Sequence, residues 1–331
     1  MKVLVTGSSG FIGGHLVEKL AGRGDEVQCL VRKTSRTREL ERLNVRLVIG
    51  DCRDKESLRP AVKNMDYVFH LAGVINALDW QTYHEVNTLG TQNLLEACQE
   101  ENAGLRKFVF VSSISAAGPS PCGASLREED ECHPVSDYGR SKLEAERFVL
   151  GRKDRQPVVI IRPSNILGPR QRELMYSIRL LRMGIMPVVG SGSLQTSLAS
   201  VFDVVEALIL AAENPRSAGQ VYFITDGRAY AWSEITEAIT EGLGVKKFYL
   251  KVPYAVQVAA AALSEALARA RKKTPLLSRQ HLASSRKYCW VYDGTKIERE
   301  LGFKPTMDMK AAVRSALDWA RESRFRGHGR S

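Results

Sequence analysis

Tyr138 and Lys142 stand four residues apart in SDYGRSKLEAE, residues 136–146, a stretch that reads as the start of a helix. Residues at i and i+4 share a helix face, so a phenol and an ammonium placed this way can meet the same ligand. A free tyrosine titrates near ~10, too high for an efficient general base at neutral pH, and a neighbouring ammonium stabilises the phenolate. A hydroxyl on a neighbouring strand end would complete such a site by holding a substrate oxygen. FVFVSSISAAG, residues 108–118, offers Ser112 and Ser113. Taken alone, the tyrosine–lysine pair also fits a solvated helix face, so the decision falls to the elements around it.

The second chemical signal is TGSSGFIGG, residues 6–14, between a short apolar run and a helical pattern. Gly7 lets the chain turn off the strand, Gly10 removes a side chain where a pyrophosphate must approach backbone N–H groups, and Gly13 lets the helix sit close to the sheet. The helix N-terminus adds partial positive charge for the phosphates. Ser9, Phe11 and Ile12 belong to the same loop. A glycine loop alone is a weak signal, but this one follows a strand and opens a helix, which is the context the chemistry requires.

Strands and helices alternate through the first half. KVLVTG, EVQCLVR, VRLVIGD, DYVFHLAG, KFVFVSS and PVVIIRPSN read as strands; IGGHLVEKLAGRG, TLGTQNLLEACQE and YGRSKLEAERFVLGR read as helices. Short apolar strands separated by amphipathic helices imply a parallel sheet buried on both faces, hence a doubly wound, Rossmann-type α/β domain. The expected division is a dinucleotide-binding domain over 1–165, with 200–225 returning to it, and a smaller, mostly helical substrate lobe from 166–199 and 226–331.

Composition narrows the function classes. Of the 331 residues, 44% are hydrophobic and 26% charged, ordinary for a globular protein with a real core. The net charge of +11 gathers in local clusters at 32–38, 269–273 and 321–330. The first two lack the interleaved aromatics of a nucleic-acid platform, so nucleic acid is not an expected partner. The six cysteines, at 29, 52, 98, 122, 132 and 289, show no metal-ligand spacing and are expected as free thiols. No metal site is expected. The chain opens directly on a strand, with no signal-peptide pattern and no apolar run of ~20 residues. The expected location is the cytoplasm. One qualification is VPYAVQVAAAALSEALARARKK, residues 252–273, an apolar helical stretch with a basic end. It fits either a core helix with a solvated end or a helix lying on a membrane surface.

With its GxxGxxG loop and YGRSK, the chain resembles the extended branch of the short-chain dehydrogenase/reductase superfamily, the NAD-dependent epimerase/dehydratase family. GDCRD (50–54), FHLAG (69–73), VNTLGTQNLLEA (86–97), VFVSS and RPSNILGP (162–169) carry the resemblance along nearly the whole chain in the right order. It implies a catalytic set of Ser113, Tyr138 and Lys142, with Ser112 as the alternative hydroxyl. Asn87 would hold a helix distortion or a water that relays protons to Lys142. The resemblance also implies that Asp51 and Cys52 lie beside the adenine, and that Leu71, Ala72 and Gly73 line the path to the nicotinamide ribose. It further implies that Pro163, Asn165 and Ile166, together with Tyr138 and Lys142, belong to the cofactor-binding set. A homodimer through helices at 86–101 and 137–152 is expected by the same analogy.

Members of the family that use NAD typically carry Asp where this chain has Val31, and Arg32 and Lys33 follow at once. A guanidinium can pair with a 2′-phosphate that a carboxylate would repel. NADP(H) is therefore the expected cofactor, with NAD(H) the alternative. For the small-molecule substrate, the later half resembles the 3β-hydroxysteroid and sterol dehydrogenases of the superfamily, in AWSEITEAI and in residues 274–305. Sugar 4,6-dehydratases place Asp and Glu after the catalytic hydroxyl, where Ile114 and Ser115 stand here. Nucleotide-sugar epimerases carry an Arg-Asp pair where this chain has Ser197 and Leu198, although Arg170 or Arg172 could compensate. The expected activity is hydride transfer on an apolar, sterol-like ring. The alternatives are an epimerase with tightly held NAD and a catalytically idle cofactor-binding scaffold, the latter disfavoured by the complete Ser-Tyr-Lys set.

Overall fold

The computed structural model describes residues 1–171, 174, 175, 178, 181, 194–244, 253–270, 279, 282, 283 and 287–327. Seven parallel strands form the central sheet: β1 (Lys2–Thr6), β2 (Glu26–Val31), β3 (Arg46–Ile49), β4 (Tyr67–His70), β5 (Lys107–Val111), β6 (Val158–Pro163) and β9 (Val221–Ile224). Their order is β3-β2-β1-β4-β5-β6-β9. The chain leaves β1 toward one edge and returns from β4 toward the other, and in open sheets of this kind ligands bind where those directions part, beyond the C-terminal strand ends.

The central strands are Val-, Ile- and Phe-rich because both their faces are covered. Val3, Val5, Val109 and Ile161 pack on one side with α1 (Phe11–Gly22), α7 (Val201–Glu213) and α10 (Thr295–Leu301). Leu4, Val68, Phe108, Phe110 and Ile160 pack on the other with α2 (Lys55–Val62), α4 (Gly90–Glu101) and α6 (Asp137–Leu150). Burial of this kind contributes roughly 1.5–3 kcal/mol for each large apolar side chain. The short helix α3 (Trp80–Tyr83) runs into a π-helical turn, His84–Leu89, that leads into α4; α5 (Ile114–Ala117) follows β5 directly.

A second, three-stranded sheet of β7 (Asn165–Leu167), β8 (Gln195–Ser200) and β10 (Ala229–Ala231) caps the strand ends. Together with α8 (Trp232–Leu243) and α11 (Met309–Gly327) it forms a third apolar cluster around Leu198, Tyr230, Ile239 and Leu317. Between α8 and α10 in the chain lies α9 (Tyr254–Ala270). The expected basic run at 271–273, Arg172 and the end of the tail lie outside the described residues.

One expectation is corrected. Cys122 and Cys289 form a disulfide across 167 residues, while Cys29, Cys52, Cys98 and Cys132 are free thiols. The segment after α5 lies along residues 288–293: Ser120 N donates to Cys289 O at 2.9 Å, and Asp293 N donates to Leu126 O at 2.8 Å. That tertiary pairing brings the two sulfurs together, and spacing along the sequence carries no trace of it.

Candidate active site

The loop between β1 and α1 is shaped by what would obstruct it. Gly7 has φ +69, and a Cβ there would stand 2.7 Å from Ala72 N and Leu71 C. A Cβ on Gly13 would stand 2.2 Å from Gly7 O. Gly10 is the N-cap of α1 and supplies no side-chain cap, which leaves the first N–H groups of a 12-residue helix facing the loop. Ser9 is exposed, Phe11 packs edge-on against His15 at 5.8 Å, and Ile12 leans on the core. Leu71 and Ala72 form the opposite wall, with Ala72 N donating to Thr6 Oγ1 at 3.1 Å. The turn is therefore too tight for a side chain at Gly7 or Gly13.

At the ends of β2 and β3 the chemistry turns basic. Arg32 N donates to Ser35 Oγ at 3.0 Å, which closes a tight turn, and the Arg32 and Lys33 side chains are exposed without an ion pair among the described residues. Asp51 receives Arg53 Nη2 at 2.8 Å, and this bonding holds its carboxyl below the usual range. A cavity of about 510 Å³ opens here, lined by Asp51, Arg53, Asp54, Glu85, Leu89, Gln92 and Asn93. Cys52, next to Asp51, is buried, and its carbonyl accepts from Asn93 Nδ2 at 2.9 Å.

The candidate catalytic residues gather over β4, β5 and β6. Ser113 caps α5, its Oγ accepting from Ser115 N at 3.1 Å, and its hydroxyl is also in reach of the Tyr138 phenol. Ser112 lies just past β5, buried, its Oγ without a hydrogen-bond partner among the described residues, and Ser164 just past β6 is in the same state. Tyr138 is half-buried, and enclosure of its hydroxyl pushes the phenol up to about 12, with the Ser113 bond acting the other way. Lys142 is buried, its Nζ 2.7 Å from Val111 O and 4.1 Å from the Phe110 ring centre. Burial pushes its ammonium down to about 7, opposed by Glu146. The ammonium is thus directed at a carbonyl, and the chain by itself does not lower the phenol, contrary to the expectation from spacing.

Asn87 sits fully buried in the π-helical turn. Its Oδ1 accepts from Val74 N at 2.8 Å, and its Nδ2 donates to Val74 O and to Ser141 Oγ, both at 3.0 Å. Thr91 Oγ1 donates to its carbonyl at 2.6 Å. Asn87 therefore clips the loop after β4 to α6. A Cβ on Gly73 would touch Asn87 Oδ1 at 3.0 Å. Pro163 ends β6, Ile166 pairs with Ala199, and Asn165 Nδ2 donates to Thr196 Oγ1 at 2.6 Å.

Three groups escaped the sequence reading. Glu146 and Arg162 form a buried ion pair, Nε to Oε1 at 2.9 Å and Nη2 to Oε2 at 2.6 Å. Tyr83 lies 6.3 Å ring to ring from Tyr138, and its hydroxyl donates to Ile75 O at 2.9 Å. His70 lies between Thr6 and Thr91 hydroxyls, kept neutral by burial and then by Lys142. Only Glu146, one turn beyond Lys142 on the same face, carried a local signal. A second cleft, of about 300 Å³ between β10, α8 and α11, touches none of these residues.

Residues 3–225 match the NAD dependent epimerase/dehydratase family model. A 3-beta-hydroxysteroid dehydrogenase of Mycolicibacterium neoaurum is 30% identical, over 96% of this chain and 91% of that protein. A UDP-glucose 4-epimerase of Vibrio cholerae is 31% identical, over 76% of this chain and 78% of that protein. The structure of DesIV, a dTDP-glucose 4,6-dehydratase from Streptomyces venezuelae with NAD and TYD bound, is similar with a TM-score of 0.81 at 26% identity, covering 98% of each chain.

Proposed function

The chain belongs to the NAD-dependent epimerase/dehydratase family, and from that premise we propose that it moves a hydride between a nicotinamide cofactor and a secondary alcohol or ketone on an apolar, sterol-like ring, with NADP(H) preferred over NAD(H). The observation that carries the substrate class is at Ser197 and Leu198. Leu198 is buried, and the Ser197 hydroxyl accepts from Tyr292 N at 3.0 Å, so this position presents no cation to a sugar-nucleotide diphosphate. Arg170 does not compensate: both its terminal nitrogens donate to Glu18, at 2.7 and 2.8 Å. The Asn165 amide is likewise committed to Thr196. Ile75 stands 64% exposed on the loop that Tyr83 pins beside Tyr138, an apolar group where an apolar ring would enter.

The glycine cradle, the open α1 N-terminus and the unpartnered Ser112 and Ser164 hydroxyls fit a dinucleotide. Gly7, Gly10 and Gly13 would admit its pyrophosphate, Arg32 and Lys33 its adenosine end, and Lys142 its nicotinamide ribose. When bound, the nicotinamide supplies or accepts the hydride. The chain supplies the rest. Ser113 orients the substrate oxygen, and Tyr138 holds its proton at neutral pH because burial raises the phenol. That is the state that protonates an oxygen as it becomes an alkoxide.

The second reading, a nucleotide-sugar epimerase, rests on the similarity to the Vibrio cholerae enzyme and uses the same three residues. One assay separates them. The purified protein is analysed for retained nucleotide, then supplied with NADPH or NADH and either a 3-ketosteroid or UDP-glucose. Consumption of NADPH with the ketosteroid alone is expected. Retained NAD with interconversion of UDP-glucose and UDP-galactose would overturn the proposal.

A further inference from the structure

Helix α9 is inside out. A surface helix ordinarily turns its apolar stripe to the core and its polar face to water. In α9 the inward face holds Gln257, Ala261 and Ala268, all buried, and Glu265, which accepts from Arg279 N at 2.8 Å and Nε at 2.9 Å. The outward face is apolar. Val256, Ala260, Leu263 and Leu267 recur at i, i+4, i+7 and i+11, and all four are exposed, Leu263 at 61% and Val256 at 54%. Ala259, Ala266 and Ala270 widen the same stripe. Of the eight large apolar side chains exposed among the described residues, three, Val256, Leu263 and Leu267, lie on this one stripe. Singly exposed apolar groups need no explanation, but a continuous stripe of them does.

We propose that the outward face of α9 docks on an anionic lipid bilayer, with the helix lying in the interfacial plane. Charge decides between a bilayer and a second copy of the chain. The stripe ends at Arg269, and the sequence continues with Arg271, Lys272 and Lys273. Glu265 is the sole acidic residue of α9 and is already paired with Arg279. A second copy of this face would bring more positive charge and no counter-charge, whereas anionic headgroups supply it. The 17-residue helix lies on a bilayer rather than across it, since no helix among the described residues is long and apolar enough to span. Apolar area and basic residues act together in such docking, so it weakens with salt.

The proposal does not rest on the substrate reading, and its test uses no substrate. The full chain is mixed with vesicles of phosphatidylcholine, or of phosphatidylcholine with phosphatidylglycerol, and the bound fraction is measured by flotation. Wild-type protein should float with the anionic vesicles, less so when salt rises from ~0.05 to ~0.5 M. Leu263→Glu with Leu267→Glu should lower the bound fraction at least about tenfold. These side chains lie outside the core, and an unchanged melting temperature checks the fold; Leu263→Ser with Leu267→Ser is the milder pair. Wild-type protein that stays below both kinds of vesicle overturns the proposal, as does binding that survives the double substitution. A lipid-free dimer lost in the same variant would assign the face to a second copy and overturn it equally.

Discussion

Two buried cations stand close together over α6 and are treated in opposite ways. Arg162 reaches the third turn of the helix and meets Glu146 through two hydrogen bonds, with a further contact from Nη2 to Cys132 Sγ at 3.2 Å. Glu146 holds the guanidinium firmly charged against the cost of burial. Lys142, one turn earlier, has no carboxylate bonded to it among the described residues; its Nζ meets the Val111 carbonyl and the face of Phe110, and burial brings its ammonium down to about 7 against the pull of Glu146. A buried charge that serves architecture is neutralised within the chain. One left on a lone carbonyl is available to a ligand, and Lys142 is that one. On the proposed function, the difference divides α6 into a chemical first half, with Tyr138 and Lys142, and a structural second half, with Glu146.

The largest effect should come from Tyr138→Phe. It removes the proton and leaves the packing, so turnover with a ketone substrate should fall by about 10³-fold, roughly 4 kcal/mol of barrier, while the melting temperature and cofactor binding hold. Glu146→Gln should do the reverse. Leaving Arg162 charged and half-paired in the core should cost about 3 kcal/mol of unfolding free energy, read by urea denaturation. Replacing both partners at once, by Glu146→Leu with Arg162→Met, should recover most of that loss. A destabilised Tyr138→Phe with full turnover would break the division between the two halves of the helix.

The comparison sharpens with pH. Lys142 titrates near 10.5 when unfolded and near 7 in the folded chain. Between those values the unfolded chain holds a proton that the folded chain has released, so stability rises with pH. The gain between pH ~7 and ~9 should be about 2 kcal/mol, and it should vanish in Lys142→Met. His70, which burial brings down to about 3, has the same sign in a lower window: stability falls as pH drops below about 6.5. Urea midpoints of the two proteins across pH 6 to 9 test the claim, and parallel curves would mean that Lys142 is neutralised in a way the geometry does not show.

The fold could be read largely from the sequence because its signals are local. β1, β4, β5 and β6 are short apolar runs, the Gly7–Gly13 loop follows a strand, and Tyr138 and Lys142 share a face by helical spacing alone. The resemblance adds Ser113 and Asn87. What could not be read depends on distant segments meeting. The Cys122–Cys289 disulfide, the clip from Asn87 to Val74, and the pinning of Ile75 by Tyr83 are set by tertiary contacts. The lowered Lys142 also needed the structure, since spacing shows a neighbour but not the burial around it. The inverted face of α9 was visible only as an apolar stretch with a basic end, because the side that is buried cannot be told from periodicity.

Arg32 carries the comparison to the surface, where the smallest effect is expected. Like Lys142 it is a cation with no carboxylate bonded to it among the described residues, but it is exposed on a loop whose backbone is fixed by Ser35. Water screens an exposed charge, so its pairing with a ligand phosphate is worth far less than a buried contact, about 1–2 kcal/mol. Arg32→Ala should therefore weaken NADPH binding about tenfold and leave NADH binding within about twofold, measured by nucleotide fluorescence titration. The contrast lies in the 2′-phosphate alone, since both nucleotides meet the same glycine cradle. An equal loss for both would mean that Arg32 packs against the adenine instead, and Lys33 would become the next candidate to face the phosphate. No change for either would remove the basic turn from cofactor recognition and leave Val31, the absence of a carboxylate, as the one feature of this strand end that bears on the choice.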